Sequence, residues 1–121
     1  MQEFIFEKLD VWQKSRKLVV EVYQLLEEFP HVERYALCDQ IRRAAVSVAS
    51  NIAECAGRAS NKEKIHFIEI AYGSLMETFN QLLIAVDLSY IPEGSVNNLR
   101  GRFTEVAKML SGWRKNLKSK P

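Results

Sequence analysis

The segment Gln40–Cys55, QIRRAAVSVASNIAEC, restricts what this chain can fold into more than any other stretch. Arg42 and Arg43 lead into ten residues, Ala44 to Ala53, that carry no charge. Apolar residues at steps of three and four (Leu37, Ile41, Ala44, Ala45, Val48, Ile52, Cys55) predict an amphipathic helix. At about 100° per residue, the side opposite that stripe holds Asp39, Arg43, Val46, Ser47, Ser50, Ala53 and Glu54, with Ala49 at its edge. Its charges sit only at the two ends, and its middle is small or apolar. A helix without a polar back is ordinarily covered on both sides, so a second subunit is the expected cover.

The remaining chain repeats the helical spacing. Val11, Leu18, Val22, Leu25 and Phe29 form a first stripe, with Ser15 filling one place, and Pro30 stops it. A third segment opens on SNKE (60–63), which has capping-box spacing. It continues through Ile68, Ala71, Leu75, Thr78 or Phe79, Leu82 and Val86, and YIPEGS (90–95) ends it. The fourth stripe is the most regular: Val96, Leu99, Phe103, Val106, Leu110, Trp113 and Leu117. Four helices are predicted, at about 9–29, 33–56, 61–88 and 93–117. Gly57 is expected as a left-handed cap of the second. Short links between long helices favour antiparallel neighbours. The expected architecture is therefore all-α: one domain over 1–121, an antiparallel up-down-up-down four-helix bundle. The opening EFIFE is too short for a sheet and reads as an arm packed on the bundle or on a neighbouring subunit.

On the third helix, Ile70 and Ile84 point away from the stripe, and Gly73 and Ser74 fall on its outer half. The expected subunit interface is Val46, Ser47, Ala49, Ser50, Ala53, Ile70, Gly73 and Ile84.

Charge is unevenly placed. Residues 100–121 carry +6, while the remainder carries −4, against a net +2 for the chain. Arg100, Lys108, Arg114, Lys115 and Lys118 share about 120° of the fourth helix. Arg42 and Arg43, with Arg58, Lys62 and Lys64 at the second turn, add further bases. Such clusters suit a polyanion and predict nucleic-acid binding through phosphates with little sequence readout. A single chain is expected to scatter these groups, and a symmetric ring to gather them into a band. Aromatic residues lie mostly on core stripes, so little stacking on single strands is expected.

Catalytic and metal chemistry find no support. The two histidines, His31 and His66, form no His-x-x-x-His or Glu-x-x-His pair. Glu69 and Glu77 read as solvated charges on the third helix. No phosphate loop and no nucleophile–base spacing occurs, so no enzyme, metal or cofactor is expected. Cys38 and Cys55 lie roughly 25 Å apart along one helix and cannot pair within the chain. Two free thiols, no apolar run of membrane-spanning length and no secretory leader lead to the expectation of a soluble cytoplasmic protein.

Four stretches carry a family resemblance: FEKLDVWQKS (6–15), LCDQIRRAAVSVASNIAEC (37–55), FIEIAYGSLMET (67–78) and the fourth-helix pattern. Together they resemble the bacterial 23S ribosomal RNA intervening-sequence proteins, a family similar to the accessory variability proteins of diversity-generating retroelements. The resemblance implies a four-helix bundle assembled as a homopentamer, with a non-enzymatic role tied to RNA or DNA. In the retroelement branch it implies docking with a reverse transcriptase, so a protein-interaction scaffold is the alternative. Arg42 and Arg43 match the family's paired arginines, and Asn51 and Glu54 its Asn and Glu. Cys55 stands where the family pattern has Gly.

Overall fold

The computed structural model describes residues 2–120. Four α-helices account for most of them: α1 (Asp10–Leu26), α2 (Leu37–Ala56), α3 (Asn61–Asp87) and α4 (Glu93–Lys118). Two 3-10 turns, Ile5–Lys8 and His31–Glu33, precede α1 and α2. No strand occurs among the described residues.

The helices run antiparallel, as paired contacts show. Ser47 meets Ser74 and Cys55 meets Lys64 between α2 and α3. Phe79 meets Phe103 and Glu69 meets Arg114 between α3 and α4. Lys14 meets Glu105 and Glu21 meets Arg102 between α4 and α1. In each pair one number rises as the other falls. One pole of the bundle therefore holds the α2–α3 turn, the start of α1 and the end of α4. The opposite pole holds the α1–α2 and α3–α4 connections.

The predicted stripes fill the core. Val22, Ile41, Ile52, Ile68, Leu75, Leu82, Val96, Val106 and Leu110 are fully buried. Burial of such side chains contributes about 1.5–3 kcal/mol each relative to exposure. Trp113 is half-buried and packs against this core.

Helix ends depart from expectation in three places. α1 stops at Leu26 rather than Phe29, because Glu27, Glu28 and Phe29 switch to bonds three residues back, on Gln24, Leu25 and Leu26. Phe29 still closes the core at that pole. α2 starts at Leu37 rather than at 33. Ala36, at φ −120° and ψ −100°, interrupts the helix, and Glu33 serves as a cap whose Oε1 accepts from Leu37 N at 3.4 Å. Gly57 is right-handed, at φ −87°. The left-handed cap lies instead at Ser89, φ 63°, after α3. There the Ser89 and Tyr90 amides donate to Val86 and Ala85, a Schellman ending that satisfies carbonyls the helix leaves open. Ser60 caps α3 as expected, accepting from Glu63 N at 3.1 Å. The Glu63 carboxylate takes the Ser60 hydroxyl, not its amide, so only half of the predicted box forms.

A polar line joins α2 to α3. Ser74, expected on the outer half of α3, is buried, and its hydroxyl meets that of Ser47 at 2.8 Å. Asn51 donates to the carbonyl and hydroxyl of Ser47 at 2.8 and 2.9 Å, and Thr78 donates to the Ser74 carbonyl at 2.8 Å. Ser47 thus has a partner within its own chain. Small hydroxyl side chains let α2 and α3 approach closely while keeping these groups hydrogen-bonded.

The N-terminal arm forms a 3-10 turn tied to α1. Glu7 accepts from Phe4 N at 2.7 Å, Gln13 donates to the Glu7 carbonyl at 2.7 Å, and Phe6 packs edge-on against Trp12 at 4.9 Å.

Candidate nucleic-acid interface

The basic flank of α4 is the flank that turns toward α3. Phe103 and Leu110 bury the inner side of α4, and one step round the helix come Arg100, Lys108 and Arg114. These bases rim a line of grooves along the α3–α4 seam. The first, about 430 Å³, is lined by Tyr72, Met76, Phe79, Phe103, Arg100 and Lys108. The second, about 370 Å³, includes Glu69, Tyr72, Ser111 and Arg114. The third lies at the pole, where the start of α3 meets the end of α4. It measures about 1110 Å³ and gathers Arg58, Lys62, His66, Lys118 and Lys120.

The expectation that one chain scatters its bases is overturned for six of them and holds for Arg42 and Arg43. Antiparallel packing places the α2–α3 turn beside the end of α4, so Arg58, Lys62 and Lys118 line one groove, and Arg100, Lys108 and Arg114 continue it along the seam. Lys115 is exposed on α4 nearby, and Lys64 is half-buried in the first turns of α3. Arg42 and Arg43 stand apart, toward the other pole. Arg42 is committed there to Asp39 at 3.0 Å, to the Arg34 carbonyl at 3.1 Å and to the Tyr23 ring.

Ion pairs divide these cations into two kinds. Arg58 meets Glu54 at 2.6 Å and Arg114 meets Glu69 at 2.6 Å. Glu69 is exposed, as its position suggested, and meets Arg114 at the surface. Lys62, Arg100, Lys108, Lys118 and Lys120 have no carboxylate partner among the described residues. Exposed pairs of this sort contribute about 0–1 kcal/mol, so a phosphate can displace Glu54 or Glu69 at little cost. Two guanidiniums are also held over rings: Arg58 over Phe67 at 4.6 Å and Arg100 over Phe79 at 4.8 Å. Lys120, His66, Tyr72 and Met76 were not among the expected contact residues. Lys120 follows the last seam residue, Leu117, by three. Tyr72 and Met76 are four apart on α3, a spacing that puts both on the α4 side of its core stripe.

The α2–α3 back is apolar and open. Val46, Ile70 and Ile84 are 40%, 38% and 42% exposed. Ser50 is exposed and Ala49 and Ala53 are half-buried, while Gly73, also exposed, lines the second α3–α4 groove beside Arg114. A Cβ built on Gly73 meets nothing within 4 Å, so this glycine leaves free space on the surface.

Burial pushes the Cys55 thiol up to about 11, and its hydrogen goes to the Lys64 carbonyl at 3.3 Å. Burial likewise raises Cys38, and a hydrogen bond to Glu33 raises Tyr90. Lys14 is raised by its bonds to Glu105 and Asp10. Both cysteines are free and buried. Among the described residues, no three His, Cys, Asp or Glu side chains group as metal ligands, and no helix is long and apolar enough to cross a membrane.

Comparison with known proteins gives the chain its relatives. A crystal structure from Bacteroides thetaiotaomicron, described as a protein with unknown function from the S23 ribosomal protein family, superposes with a TM-score of 0.77 at 25% identity. The match covers 87% of this chain and 98% of that one. Comparison with curated proteins finds no match. Residues 7–112 match the family model described as 23S rRNA-intervening sequence protein. The fold, the run of small residues in α2 and this match over most of the length agree: the chain belongs to the 23S rRNA-intervening sequence protein family.

Proposed function

We propose that this protein is a non-enzymatic, homo-oligomeric, cytoplasmic nucleic-acid-binding protein whose α3–α4 seam and α2–α3 pole grip phosphates. The observation that carries the reading is the convergence of Arg58, Lys62, Lys118 and Lys120 on one groove, continued by Arg100, Lys108 and Arg114 along α4. The mechanism is electrostatic: flexible ammonium groups replace condensed counterions along a backbone and read little sequence. Lys64 and Lys115 broaden the basic pole, while Arg42 and Arg43 serve their own end of the bundle.

The second half of the reading is assembly through the α2–α3 back. Val46, Ala49, Ser50, Ala53, Ile70, Gly73 and Ile84 form the contact, and the family resemblance gives a ring of five. Ser47 supports that surface from beneath through its bond to Ser74. A cyclic assembly repeats the seam once per subunit, with Gly73 shared between the contact and the second groove.

Two measurements test this. Fluorescence anisotropy with labelled RNA and DNA is expected to show binding that Lys62→Glu with Lys118→Glu abolishes; unchanged affinity in that variant overturns the nucleic-acid reading. Light scattering after size exclusion is expected to give a multiple of 14.0 kDa. A lone protomer at micromolar concentration overturns the assembly reading. Capture of a folded protein partner that survives nuclease and high salt, without oligonucleotide binding, favours the scaffold alternative.

A further inference from the structure

We propose that the α3–α4 groove around Tyr72 is a nucleobase-binding site, so that the protein's ligand is single-stranded. This rests on the nucleic-acid reading and narrows it to unpaired strands.

The groove combines three properties. Its floor is apolar and aromatic: Tyr72 and Met76 are 38% and 41% exposed, and Phe79 lies between them and the buried Phe103. Its rim is purely cationic, with Arg100 and Lys108 and no carboxylate among its lining residues. The Ser111 hydroxyl can donate to or accept from a base edge, while Thr104, whose hydroxyl donates to the Arg100 carbonyl at 3.0 Å, can only accept. A volume of about 430 Å³ falls within the roughly 300–1,000 Å³ of small-ligand sites.

An occupant must be flat and apolar on its face, polar at its edge and anionic at its attachment. An unpaired nucleotide has all three features. A duplex hides the faces of its bases and offers only phosphates, which the lysines of the pole already serve. The Arg100 guanidinium is held over Phe79 at 4.8 Å, so the cation is in place before a phosphate arrives. That leaves Tyr72 as the exposed ring on which a base stacks. The expectation of little single-strand stacking took the aromatic residues as core. Tyr72 is not core, and Phe79 is only half-buried.

The test compares labelled oligouridylate of about 16 nucleotides, the upper end of single-strand site sizes, with the duplex it forms with oligoadenylate. Three proteins are used: wild type, Tyr72→Ala and Tyr72→Phe. Base–aromatic stacking predicts a roughly 5- to 150-fold weakening of oligouridylate by Tyr72→Ala. Tyr72→Phe should retain affinity, and duplex affinity should be the same in all three. Circular dichroism reports that the variants fold. Equal oligouridylate affinity of wild type and Tyr72→Ala overturns the nucleobase site, while binding still lost on Lys62→Glu with Lys118→Glu leaves the phosphate reading standing. A fall in oligomeric mass on Tyr72→Ala also overturns it, because the groove is then filled by a neighbouring copy. Absence of binding to either probe by wild type overturns both readings.

Discussion

Neutralising two lysines at the basic pole should flatten the salt dependence of nucleic-acid binding by a calculable amount. From Arg100 to Lys118 the α4 flank runs about 27 Å at 1.5 Å per residue. A strand lying along one subunit's seam meets five cations without a carboxylate partner: Lys62, Arg100, Lys108, Lys118 and Lys120. Arg58 and Arg114 are already balanced by Glu54 and Glu69. Each phosphate neutralised on a single strand contributes about −0.7 to the slope of log K against log salt, so the expected slope is about −3.5. Between about 50 and 200 mM salt, affinity then falls roughly 100-fold. In Lys62→Gln with Lys118→Gln the slope becomes about −2.1 and the same fall is roughly 20-fold. Glu69→Gln works in the opposite direction, freeing Arg114 and steepening the wild-type slope by about 0.7. Anisotropy titrations at four salt concentrations measure all three. A slope that stays near its wild-type value in the double lysine variant refutes the idea that this pole contacts phosphates.

Three further outcomes follow from the described geometry. Val46→Asp or Ile84→Asp should reduce the light-scattering mass to 14.0 kDa, since each places a charge on the apolar α2–α3 back; an unchanged mass refutes that contact. Ser47→Ala leaves the buried Ser74 hydroxyl without its partner, while Asn51 keeps the residue-47 carbonyl, and should cost about 1–3 kcal/mol in urea unfolding. The double variant with Ser74→Ala should cost less than the two single losses added, and strict additivity refutes the coupling. Cys55 binds its proton more tightly folded, with a pKa of about 11 against 9.0 for the free thiol. Its contribution is complete below about pH 9 and is lost as pH rises toward about 11, by about 1.4 kcal/mol per unit. Wild type should therefore lose more stability than Cys55→Ala between about pH 8 and 10, and equal losses refute it.

Much of the fold was readable because strict three-four spacing leaves few solutions. The fourth-helix stripe, Val96 to Leu117, became the buried edge of α4 with Trp113 at its margin. The ends were harder, because they depend on residues distant in the chain. α2 begins late where Glu33 is drawn to Tyr90, and nothing between 33 and 37 announces it. Gly57 invited a left-handed cap, yet the chain uses Ser89, where the Tyr90–Ile91 turn into α4 dictates the reversal. Ser74 looked like an outer residue because hydroxyls suit either environment, and its partner Ser47 lies on another helix. Basic residues were each visible as charges. Their convergence was not, since it arises only when antiparallel packing sets the α2–α3 turn beside the tail of α4. Tyr72 was passed over because a stripe reading sorts aromatics into core or surface and has no category for the rim of a groove.

The two connections at the other pole are joined. Tyr90 donates its hydroxyl to Glu33 at 2.6 Å, and its ring packs on Phe29 at 5.7 Å. With both cysteines unpaired, this clasp ties the first helical hairpin to the second far from the basic pole. A chain lacking it has a weaker tie between its two hairpins, so Tyr90→Phe is the substitution under which interlocked dimers should first accumulate on size exclusion.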